Sequence, residues 1–96
     1  MAVLTQEDIL TILKMDLQIS VTQYDVFLMK LIELAKAAIT REGIVFETEL
    51  TTEDGMLIQT YAAYLYRKRR GEDNGMPRSL RYALNNRLLS QKARSE

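Results

Sequence analysis

The chain has 96 residues, 47% hydrophobic and 27% charged, a balance that suits a globular domain and excludes a disordered or fibrous one. It contains neither cysteine nor histidine, which removes disulfides, thiolate metal sites and the commonest general base. The net charge of zero hides a division: residues 1–66 carry four Lys+Arg against ten Asp+Glu, and residues 67–96 carry nine against three.

Such polarity predicts one acidic and one basic face, a means of orienting a partner or a second copy. No apolar run reaches the roughly 20 residues that span a bilayer. The opening Met1-Ala2-Val3-Leu4-Thr5-Gln6-Glu7-Asp8 lacks the features of a secretory signal, so a cytoplasmic, membrane-free protein is expected.

Four helical segments follow in order. Thr5 is placed to cap the first, with Glu7 and Asp8 favoured by the helix dipole and Ile9, Ile12 and Leu13 on one face. Asp16 to Val21 reads as a short link, helical or extended. Thr22 or Ser20 caps the second helix, whose apolar stripe is Tyr24, Phe27, Leu28, Leu31, Ile32, Ala35, Ala38 and Ile39. Gly43 is the expected left-handed terminator.

Ile44 to Leu50 then reads as an extended arm or short strand. One strand has no partner within the chain, so Ile44, Val45, Phe46, Glu47 and Glu49 are candidates for contact between subunits. Thr51-Thr52-Glu53-Asp54 opens a third helix expected from Glu53 to Arg70. Its stretch Met56 to Tyr66 is apolar nearly all round, which predicts a helix that is central or shared with a neighbouring copy. It closes on Arg67, Lys68, Arg69 and Arg70, cations suited to the negative helix end. After the turn Glu72-Asp73-Asn74-Gly75, Pro77 starts a fourth helix expected to reach Ala93. Leu80, Leu84 and Leu88 step along one side with Ala83 beside them, and the final residues are expected to fray. The fold class that results is all-α: a small four-helix bundle with a short extended loop between the second and third helices, one domain over residues 1–96.

The chemistry-bearing residues are sparse. Glu72-Asp73-Asn74-Gly75 lacks the further acids of a calcium loop and reads as a turn. Glu47, Glu49, Glu53 and Asp54 are explained by a solvated loop and a helix start. The serines have no histidine to activate them, and the four glycines build no phosphate loop. No catalytic residue, cofactor or metal ligand is expected. The basic segment 67–94 allows three readings: dipole and solvent, a protein interface, or nucleic-acid contact with Tyr61, Tyr64, Tyr66 and Tyr82 stacking on bases.

Several stretches together carry a resemblance: Leu13-Lys14-Met15-Asp16, Tyr24 to Ile39, Arg41-Glu42-Gly43-Ile44, Asp54 to Arg69 and Met76 to Leu88. In order and spacing they resemble the small head–tail connector (adaptor, head-completion) proteins of tailed phages and prophages. That family has an early helix ending near Leu-Lys-x-Asp, an Ile-x-x-Ala-Lys helix, a Tyr-Ala helix and a last helix rich in Leu, Asn and Arg. The likeness runs over roughly residues 5–92. The loop after the second helix is shorter here than is usual in the family.

The resemblance implies a non-catalytic structural protein of the virion neck, assembled in the bacterial cytoplasm. It implies a homo-oligomeric ring of about twelve copies beneath the portal protein, joined to a tail or stopper protein, with DNA only passing through. On this reading Arg78, Arg81, Asn85 and Arg87 contact the portal or a neighbouring subunit. Apolar side chains of helices two and three would be left for neighbouring copies to cover, and acidic first half would meet basic second half. The alternative is a small helical nucleic-acid-binding or regulatory domain using residues 67–94.

Overall fold

A computed structural model describes residues 3–71 and 75–95. Helix α1, Gln6–Leu17, starts with a reciprocal cap: Asp8 N–H donates to Thr5 Oγ1 at 3.1 Å, and Thr5 N–H donates to Asp8 Oδ2 at 3.0 Å. It ends at Gln18, a non-glycine residue in the left-handed region at φ 59°, so the link begins two residues later than expected.

Helix α2, Asp25–Arg41, is capped by neither Thr22 nor Ser20. Tyr24 occupies the cap without a side-chain bond, and Asp25 N–H turns back onto the Thr22 carbonyl at 3.0 Å. The start is pinned instead by Lys14 Nζ, 2.8 Å from Asp25 Oδ1. Standing before the helix, Tyr24 leaves the apolar stripe and is exposed. Leu28, Leu31, Ile32, Ala35 and Ile39 form the buried face, and Gly43 follows the helix at φ +104° as the expected terminator.

Helix α3, Thr52–Arg69, is capped by Thr51, whose Oγ1 accepts Asp54 N–H at 3.1 Å. It is the central helix, packed against α1, α2 and α4 (Arg78–Ser95). Gly55 permits a close approach of the N-terminal segment to α3. A Cβ there would lie 2.8 Å from Leu4 Cβ, so any side chain would push the N-terminal segment off α3. Helix α4 starts one residue after Pro77, whose carbonyl accepts Leu80 N–H and Arg81 N–H, both at 3.1 Å. It continues helically to Ser95, two residues past the expected Ala93. Leu80 and Leu84 are buried and Leu88 half-buried, while Ala83 faces outward.

The chain is thus an all-α bundle of four helices, 45 × 31 × 18 Å, with no sheet among the described residues. The 44–50 loop departs from expectation. Ile44 and Leu50 are buried in the chain's own core, and Leu4 N–H donates to the Leu50 carbonyl at 3.0 Å beside an isolated antiparallel bridge, Val3 to Thr51. The end of this segment is thus paired by the N-terminal segment of its own chain, while residues 44–49 join no ladder.

Of the two readings of α3, central or shared with a neighbour, the first describes its middle. Tyr61 and Tyr64 are 8% and 9% exposed, and Leu57, Ile58, Ala62 and Ala63 are buried around them, all within one polypeptide. The middle of α3 is thus covered within its own chain, while Met56 stays 39% exposed. Among the described residues, no helix is long and apolar enough to cross a membrane.

Candidate interaction surfaces

The basic end of α3 is built on its own aromatic rings. Lys68 Nζ lies 5.8 Å from the Tyr64 ring centre, Arg69 lies 5.0 Å from that of Phe27, and Arg70 lies 5.7 Å from that of Tyr66. Arg67 turns inward to Asp16 at 3.4 Å, where Gln59 Nε2 also donates at 2.8 Å. Tyr61 and Tyr64 meet edge to face at 5.8 Å. Three of the four tyrosines considered for base stacking are therefore occupied, and only Tyr82, at 59% exposure, is open. The cation heads of Lys68, Arg69 and Arg70 remain at the surface.

The α4 residues expected to act as one contact face are divided. Arg78 and Asn85 are exposed. Arg81 grips Glu42 with two bonds, 2.7 and 3.1 Å. That carboxylate raises the guanidinium pKa above its usual value. The neighbouring Tyr61 phenol is also raised, first by burial and then by the Glu42 charge.

Arg87 is the most heavily engaged. Its Nε donates to Asp54 Oδ1 at 2.8 Å, Nη2 to Asp54 Oδ2 at 3.3 Å and to the Val45 carbonyl at 2.9 Å, and Nη1 to Gln91 Oε1 at 3.1 Å. Gln91 completes the clamp by donating to the Gly43 carbonyl and accepting from Val45 N–H, each at 2.8 Å. Asp54, Arg87 and Gln91 form a polar knot that binds α4 to the 43–45 backbone and to the start of α3. The one local cue was the spacing of Arg87 and Gln91, i and i+4, which places both on one side of a helix. Of the loop residues expected to reach a neighbour, Val45 makes these backbone bonds within its own chain, Phe46 is half-buried, and Glu47 and Glu49 stay exposed.

Beside the knot, α3 and α4 diverge. Ser79, Ala83, Asn86 and Ser90 form a line of small side chains on α4. Glu53, Met56, Leu57 and Thr60 form the facing wall on α3. Between them runs a groove of two adjoining cavities of about 600 and 460 Å³, which share Thr52, Glu53, Leu57 and Ala83. Glu47 and Glu53 stand on its rim, with Arg94 at the α4 end.

A second exposed feature lies on α2, opposite the buried face. Val26, Lys30, Leu34, Ala37 and Arg41 make a ridge there, with Val26 75% and Leu34 56% exposed. Among the described residues no group of three or more acidic side chains could hold a metal ion, and Glu72, Asp73 and Asn74 lie outside them. No protein-family model, curated protein or solved structure matches the chain.

Proposed function

We propose that the chain is a structural, non-catalytic head–tail connector of a tailed phage or prophage, acting as a ring between a portal protein and a tail or stopper protein. One observation carries this reading beyond the sequence likeness. The core is closed within the chain, yet two unlike surfaces are among those that stay open: a ridge on α2 with Val26 and Leu34 exposed between cations, and a groove between α3 and α4. Unlike surfaces on one subunit are what head-to-tail contacts require, and such contacts close into rings when the rotation allows. The exposed cations at the end of α3 add an electrostatic means of setting orientation.

Nucleic-acid binding has less support. Arg81 and Arg87 are committed to carboxylates of the same chain, and the α3 tyrosines are packed or covered by cations. The test is co-expression with a portal protein from the same phage or prophage genome, followed by affinity purification and electron microscopy. A ring bound to the portal is expected. Absence of any portal association, together with duplex binding that falls steeply as salt rises, would sink the proposal and favour the nucleic-acid reading.

A further inference from the structure

We infer that the groove between α3 and α4 is the seat for the outer ridge of α2 from a second copy of this chain. This rests on the connector reading for its biological setting and on the geometry of the two surfaces for its substance.

The two surfaces match in shape and length. The ridge runs from Val26 to Arg41 and the α4 wall from Ser79 to Arg94, each about 22 Å at the helical rise. A helix-sized ridge entering a groove walled by small side chains is a familiar packing mode, with anchors one or two turns apart. Val26 and Leu34 are two such anchors, eight residues apart on the outer face. The groove offers them Met56, Leu57 and Ala83.

They also match in charge. Glu47 and Glu53 line the groove, whereas the ridge ends in Arg41 and carries Lys30, which lies 3.3 Å from Glu33 of its own helix. The ridge points away from its own α3, so no copy can fill its own groove. Each copy therefore offers one of each surface to different neighbours. Two apolar anchors give far less than the roughly 1,600 Å² of a standard stable interface, so isolated copies associate weakly and transiently.

Paramagnetic labelling reads such weak contacts, and the cysteine-free chain makes it clean. A spin label on Q23C, exposed just before α2 and outside the ridge, is mixed with isotope-labelled unmodified protein at high concentration. Broadening of the Met56, Ala83 and Ser90 amides is expected, at least threefold above the rest of the chain. Leu34→Glu in the labelled copy is expected to abolish it while leaving the circular dichroism unchanged. Broadening centred on Val26 itself, uniform broadening or none at all would each overturn the docking. A V26E/L34E variant separates the two proposals. If it still forms rings on the portal, the docking is wrong and the connector reading stands. If the broadening pattern holds but no portal association or ring is ever found, the docking stands and the connector reading falls.

Discussion

The body formed by α1, α2 and α3 and the outer helix α4 are held by different forces. In the body, five buried residues of α2 meet Ile9 and Leu13 of α1 and the apolar middle of α3, an association driven by loss of water from hydrocarbon. Helix α4 buries only Leu80 and Leu84 fully and relies on two arginine clamps, Arg81 to Glu42 and Arg87 to Asp54. Hydrocarbon contacts carry no direction, whereas guanidinium–carboxylate bonds do. The body is thereby made stable and α4 is made specific in position. The Arg87–Asp54 clamp lies in the groove's own lining, where it ties α4 to the start of α3.

This contrast is breakable, and the largest effect belongs to the body. Ile58→Ala removes a fully buried side chain and should cost about 3–4 kcal/mol, lowering the thermal midpoint of all four helices together in circular dichroism. Arg87→Ala should cost about 3 kcal/mol by stranding Asp54, which is 7% exposed. Its signature in amide hydrogen exchange is regional: α4 and residues 43–47 lose protection well before α2 does. Replacing both partners, Asp54→Leu with Arg87→Met, should recover most of the stability in urea unfolding, because no unpaired charge then remains.

Gly55→Ala tests the contact between the N-terminal segment and α3. The Leu4 Cβ stands too close for a methyl group, so a loss of about 1–2 kcal/mol is expected, with earlier proteolysis of the first residues. The smallest effect is Tyr61→Phe, visible only in alkali. The folded chain keeps the Tyr61 proton to higher pH than the unfolded chain does, since burial raises its pKa. Stability from this group is complete below the ordinary tyrosine pKa of about 10 and is lost as pH rises through the higher folded value. The phenylalanine variant should show a shallower fall of thermal midpoint with pH there; an identical slope would show that Tyr61 titrates alike in both states.

Short-range chemistry in the chain was enough to determine its four helices, the Thr5 cap, the Gly43 stop and the apolar faces of α1 and α2. Each of these depends on groups within about four residues, the reach of a helical hydrogen bond. Tertiary structure alone decided the rest. The cover over Tyr61 and Tyr64, the partner for Leu50 and the pairing of Asp54 with Arg87, 33 residues apart, all come from segments distant in sequence. A run of cations or an apolar helix reads the same whether its partners lie in the same chain or in another. Only the path of the backbone distinguishes them, and here it brings α4 back across α3, occupies two of the four α4 residues singled out for contact, and leaves the groove instead.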